Sequence, residues 1–235
     1  MQIYLVLMVL AGIVAMDTTA GPQILISEPV ASCTLAGFLF GKPEMGFMIG
    51  ILFQLIWFDY MPLGAVRFTD SNMAAFISTV SLFSAERFFG FTEDATKAAI
   101  IPALLYGVAS GFIGLYLTTQ IRHIRSRFSE SIVSRLERGE KVSVAGFHLA
   151  GLSLSFLRGV FMALLLIPAG TIFCGLLTLL PGSFVNGLSR AMPIMWGTAC
   201  AAAFTLYWIK GDKKPLLLGV IGGFVWVLMI IGRHG

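Results

Sequence analysis

Charge is what this sequence lacks most. Of its 235 residues only 12% are Asp, Glu, Lys or Arg and 57% are apolar, whereas soluble domains carry about 25% charged residues. So few charges cannot cover a water-exposed surface, which excludes a soluble enzyme or a nucleic-acid-binding module. Cysteine is scarce too. Cys33, Cys174 and Cys200 lie far apart among apolar residues, without CxxC or Cys/His spacing, so they read as small buried side chains and not as metal ligands. Of the three histidines, His123 lies in a basic segment, His148 has no carboxylate neighbour in sequence and His234 lies at the C-terminal end. None is placed for nucleophilic or phosphoryl-relay chemistry. HExxH, GxSxG, Walker and GxGxxG motifs are all missing, so no catalysis by this chain alone, no cofactor and no metal are expected.

What is present is hydrophobic run after hydrophobic run. Apolar segments fall near 3–18, 24–41, 45–58, 72–86, 98–120, 159–181, 190–209 and 214–232, and a crossing helix needs about 20 such residues. The expectation is an all-α, polytopic membrane protein with roughly seven to nine segments in a single membrane domain, 1–235. The first run lacks a basic leader and a clear cleavage site, and so reads as retained. Segments 24–41, 45–58 and 72–86 are short or interrupted by Glu28, Pro29, Gln54 and Glu86, which suggests re-entrant hairpins in the N-terminal half.

Six of the sixteen basic residues lie between Arg122 and Lys141. Residues 121–143 therefore read as a cytoplasmic loop, with an amphipathic surface helix near 126–138 and contact to lipid headgroups. Lys210, Lys213 and Lys214 then also fall inside. Residues 144–158 read as a separate interfacial helix. Gly37/Gly41, Gly46/Gly50 and Gly107/Gly111 repeat at four-residue spacing, a signal for close helix packing in lipid.

The informative polarity lies in residues 54–72, where Gln54, Asp59, Arg67, Asp70 and Asn72 interleave with Trp57, Phe58, Tyr60 and Phe68. Polar groups at membrane depth are costly and face a pathway or one another. Carboxylates and amides hydrogen-bond sugar hydroxyls while aromatic faces pack on a pyranose, so Gln54, Asp70 and Asn72, with Asp59, Trp57 and Tyr60 nearby, are candidates for a neutral-solute site. The other reading stays open at this point: an aromatic belt beside wetted loop charges.

The runs PVASCTLAGFLFGKPEMGFMIG from Pro29 and TDSNMAAFI from Thr69 occur in order with HLAGLSLSFLR from His148 and NGLSRAMPIMWG from Asn186. Together they resemble the membrane IIC subunit of the mannose–fructose–sorbose family of the bacterial sugar phosphotransferase system. That resemblance implies a helical bundle in the cell inner membrane. It implies a sugar channel working in an oligomeric complex with a IID membrane subunit and soluble IIA and IIB phosphocarriers, with phosphoenolpyruvate as donor. Arg122, Arg125 and Arg127 would then face those partners. The sequence departs from the family pattern at Gln54, where Glu is common, at Glu28, where a basic residue is common, and at Thr69, where Pro is usual. The departure at Gln54 raises one alternative, a transport-inactive relative acting as solute sensor or scaffold. A second is an unrelated, ion-gradient-driven transporter, which would want a titratable group buried in a span, and the long later segments offer none.

Overall fold

The computed structural model describes residues 2–21, 23–57 and 69–208, and among these all regular structure is helical. Helix α1 spans Gln2–Thr19, α2 Pro29–Leu39, α3 Pro43–Ile56, α4 Ser71–Phe89, α5 Glu93–Glu137, α6 Val144–Gly175 and α7 Gly182–Trp208, with a 3₁₀ turn at Leu176–Leu179. The expected segment at 214–232 and the basic group at Lys210, Lys213 and Lys214 lie outside the described residues. Two helices, Glu93–Glu137 and Ala145–Leu179, are long and apolar enough to cross a bilayer.

Helix α4 is the centre of the bundle. Every residue from Met73 to Ala85 is buried, and the stretch carries no charge, its only polar groups being the hydroxyls of Ser78, Thr79, Ser81 and Ser84. One core cluster lies between α4 and α2, α3 and α5, and a second between α4 and α1 and α6. Small hydroxyls stitch these contacts together: Ser78 donates to the Ala103 carbonyl at 2.6 Å, Tyr106 to that of Leu166 at 2.6 Å and Ser81 to that of Ile167 at 3.3 Å. Such bonds count where apolar contact with lipid competes with apolar contact between helices. Asp70 caps the start of α4, and Gly90, left-handed at φ 67°, closes its end.

Helices α2 and α3 form a tight hairpin. Prolines stand in the first turn of each, where the missing N–H costs nothing. At 11 and 14 residues, with a rise of 1.5 Å per residue, the arms reach only about 16 and 21 Å, short of a bilayer core of about 30 Å. A Cβ on Gly50 would lie 2.7 Å from the Pro29 carbonyl oxygen and from Val30 Cα, and one on Gly37 2.6 Å from the Lys42 carbonyl oxygen. Gly37, Gly46 and Gly50 therefore let the arms touch backbone to backbone, whereas Gly41, expected to pack with Gly37, is left-handed at φ 74° and turns the chain at the hairpin tip, where a Cβ would meet nothing within 4 Å. Lys42 at the hairpin tip pairs with Glu86 near the end of α4.

Several boundaries differ from those expected. The helix expected over 24–41 starts only at Pro29, because residues 23–28 form an irregular connection in which Gln23 and Leu25 are left-handed. The amphipathic helix expected near 126–138 is not a separate element, since α5 runs unbroken for 45 residues from Glu93 to Glu137 and leaves only residues 138–143 as the connection to α6. After Gly114 no Gly or Pro interrupts the helix until Gly139, which is left-handed at φ 75° and donates to the Leu136 carbonyl at 2.9 Å. Likewise 144–158 and 159–175 are one helix, because Arg158 is neutralised inside the bundle and does not end a span. Cys33 and Cys174 are buried but Cys200 is exposed.

Replacing Gly50 by Leu should cost about 1–3 kcal/mol through overpacking against α2. Gly151, whose Cβ would meet nothing within 4 Å, should accept Ala with a change under about 0.5 kcal/mol. Thermal unfolding in detergent checks both, and equal midpoints for the two variants would contradict the hairpin packing.

Candidate solute-binding site

Asp70 occupies the cap position of α4, where its Oδ1 accepts the Met73 N–H at 3.2 Å. Its Oδ2 accepts from Arg158 of α6 in an ion pair whose side chains are 4% and 3% exposed. The same guanidinium donates to Thr118 Oγ1 of α5 and, at 3.4 Å, to the Ala15 carbonyl of α1. One arginine therefore ties together four helices. Burying either charge alone would cost several kcal/mol, and mutual pairing with further acceptors is what makes the arrangement tolerable. The fit around Asp70 is close: its N–H donates to the Gly111 carbonyl at 3.1 Å, and a Cβ on Gly114 would lie 2.5 Å from Asp70 Cβ.

Beside this pair the end of α1 organises the connection to α2. Asp17 is buried and accepts the Ile24 N–H at 2.8 Å and the Ser27 N–H at 3.0 Å. These two bonds hold Gln23 at φ 52° and Leu25 at φ 67°, a conformation costing roughly 1–2 kcal/mol per non-glycine residue. Such strain persists only where surrounding contacts impose it. Asn72 donates to Thr18 Oγ1 at 3.5 Å and accepts from Ser71 Oγ at 3.3 Å, so the start of α4 meets the same end of α1.

The connection delivers Glu28 to Gln54, whose Nε2 donates to Glu28 Oε2 at 2.9 Å. Gln54 Oε1 is buried without a hydrogen-bond partner among the described residues. Both side chains line an open groove of about 670 Å³ with Leu25, Val30, Thr34 and Phe47, within the range of small-molecule sites. A carboxylate, an unsatisfied amide oxygen and an aromatic ring within an otherwise apolar wall are the groups a neutral polyol would use.

The candidates thus separate. Gln54 lies in the groove, whereas Asp70 and Asn72 sit in the neighbouring polar node with their bonds directed to Arg158, Met73 and Thr18. Trp57 stacks on Phe53, with centroids 5.3 Å apart and planes 9° from parallel, and packs against the core. Asp59 and Tyr60 lie outside the described residues. Arg122 and Arg127 are exposed on the outer half of α5, while Arg125 bonds across to α6, donating to the Gly151 carbonyl at 2.6 Å and to Ser155 Oγ. Sequence reasoning did not give Asp17, Thr118 or the pairing of Arg158 with Asp70. The available signal was the isolated charge: Asp17 and Arg158 interrupt long apolar runs, and in such a chain an isolated charge needs a partner. Among the described residues no three His, Cys, Asp or Glu side chains gather to hold a metal.

Comparison with known proteins bears on this geometry. The family described as PTS system sorbose-specific IIC component matches residues 1–231. The PTS system mannose-specific EIIC component of Escherichia coli (strain K12) is 25% identical over 226 residues, covering 86% of this chain and 79% of that one. A solved chain described only as a membrane protein superposes with a TM-score of 0.64 at 22% identity, over 98% of this chain and 95% of that one. A chain from the cryoEM structure of mannose transporter ManYZ with microcin E492 gives 0.57 at 22% identity, over 97% and 94%. The last two likenesses establish the fold.

Breaking the buried pair from either side, with Asp70→Asn or Arg158→Met, should cost about 3–5 kcal/mol, and the double variant should cost less than the sum of the two. A double-mutant cycle on unfolding in detergent measures this coupling. Single costs below about 1 kcal/mol that simply add would show that the pair does not hold the bundle.

Proposed function

This chain belongs to the sorbose-specific IIC family of the sugar phosphotransferase system, and from that premise we propose that it is a multi-pass subunit that admits a sugar inward while partner subunits phosphorylate it. As a IIC component it is a membrane subunit of sugar transport. The reading adds direction, coupling and site. The partners would be a IID membrane subunit and IIA and IIB phosphocarriers charged from phosphoenolpyruvate, in one oligomeric complex with this chain.

The observation that carries the site is the Glu28–Gln54 pair in its groove. Glu28 and, once the amide turns toward the groove, the unpaired oxygen of Gln54 would take sugar hydroxyls while Phe47 and Leu25 pack on the ring. Asp70 and Asn72 act from behind by fixing the start of α4 against α1, and Asp59, Tyr60 and Trp57 belong to the segment that follows Gln54. The short α2–α3 hairpin suits a re-entrant element, with Gln54 near the end of one arm and Glu28 at the start of the other. Arg122 and Arg127 on outer α5 offer cations to the phosphocarriers, and Arg125 braces that helix on α6.

The departures at positions 28 and 54 also make sense together. With Gln at 54 the groove keeps a carboxylate because Glu28 supplies it one hydrogen bond away. This favours retained transport over a transport-inactive sensor.

The test is phosphoenolpyruvate-dependent uptake of mannose and sorbose in cells carrying the cognate partners. Gln54→Ala should raise the half-saturating sugar concentration about tenfold at equal membrane levels, the loss of roughly one good hydrogen bond. Asp70→Ala should abolish uptake while the chain still inserts. Unchanged uptake in both variants would sink the site, sugar binding without uptake by the native chain would favour the sensor, and uptake that needs no phosphodonor but collapses with an uncoupler would favour an ion-driven carrier.

A further inference from the structure

A second cavity, of about 610 Å³, lies where α5 and α6 leave the apolar zone, with Ala20 just beyond the end of α1 at its edge. Its level is set by sequence: on α5 the apolar run gives way to cations from Arg122 onward, and α6 begins at Val144. Leu154, Leu157, Phe128 and Phe147 make most of the wall, and the polar contribution is Arg125, Ser153 and the exposed His148.

Arg125 is half-buried, yet its acceptors are the uncharged Gly151 carbonyl and Ser155 Oγ. Its Nε is buried with no acceptor, and no carboxylate pairs with it among the described residues. The other arginine of this interface, Arg158, is already neutralised by Asp70. The cavity thus carries an uncompensated cation at one end of an apolar wall. A guanidinium fork matches a phosphate with two parallel hydrogen bonds. Free phosphate would satisfy Arg125 and leave the leucine and phenylalanine wall unfilled, whereas a neutral lipid would fill the wall and leave the charge unpaired. An amphiphile with an anionic head answers both.

We infer that this cavity binds an anionic phospholipid, with its phosphate on Arg125 and His148 and an acyl chain along Leu154 and Leu157. The lipid comes from the leaflet on the side of the basic half of α5, where an anionic headgroup gains about 1 kcal/mol per nearby cation. It also completes the brace between α5 and α6, since the same guanidinium holds Gly151 and Ser155.

The full-length chain in detergent, offered phosphatidylglycerol or phosphatidylcholine with identical acyl chains, reports retained lipid by native mass spectrometry. Phosphatidylglycerol should be retained about fivefold over phosphatidylcholine, the equivalent of one such cation. Arg125→Gln should bring the ratio near one. Because that change also touches the α5–α6 contact, Gly151→Leu supplies an independent arm: a Cβ there meets nothing within 4 Å and leucine suits a helix, so the variant fills the cavity with the fold intact and should expel the lipid. A ratio of one in the native chain overturns the inference. So does full retention in a Gly151→Leu variant of unchanged thermal midpoint. Displacement of phosphatidylglycerol by millimolar inorganic phosphate would make this a small-anion site and would overturn the lipid assignment.

Discussion

An aspartate and an arginine meet in the apolar interior between α4 and α6, and neither charge would be tolerable there without the other. The pair does more than neutralise itself. Arg158 has donors left over, which reach Thr118 on α5 and Ala15 on α1, while Asp70 has a second oxygen that caps α4. Four helices are thereby brought to one point. The glycines at 111 and 114 follow from it, since the α5 backbone must pass within contact distance of Asp70. In lipid, where apolar surface alone does not select one helix partner over another, a polar knot of this kind specifies which helices meet and in what register.

From this knot the rest of the polar half can be followed outward. Asn72 leads from α4 to Thr18; Asp17, one residue earlier, holds the backbone at Ile24 and Ser27; and that held connection sets Glu28 against Gln54. The groove is therefore supported by rigid neighbours on one side and by a strained connection on the other. At the far end the tip of the hairpin is fastened by Lys42 to Glu86. The α2–α3 hairpin is thus held at both ends by charged or polar contacts and along its length by glycine.

Much of this was legible in the sequence, and the limits have physical causes. Low charge and repeated apolar runs announced helices in a membrane; the glycine spacings announced close helix packing; and the polar stretch from Gln54 drew attention to the half where the Asp70–Arg158 pair and the Glu28–Gln54 contact lie. Helix continuity was not legible. The charges of 122–138 resemble a loop, yet nothing there breaks a helix before Gly139, and Arg158 looked like a terminus because its partner lies 88 residues away. Trp57 and Gln54 show the same limit at closer range. Three residues apart on one run, one packs on Phe53 and the other lines a groove, because α7 and α4 cover one side of α3 and leave the other open.

The central claim is that the Asp70–Arg158 pair holds the polar half together from α4 to the groove. Backbone hydrogen exchange at Met73, Ile24 and Ser27, compared in detergent between the native chain and Arg158→Met, tests this directly. If the pair anchors the network, exchange rises about tenfold or more at all three amides together. If Ile24 and Ser27 keep their native protection while Arg158 is gone, the groove does not depend on the pair and the account is wrong.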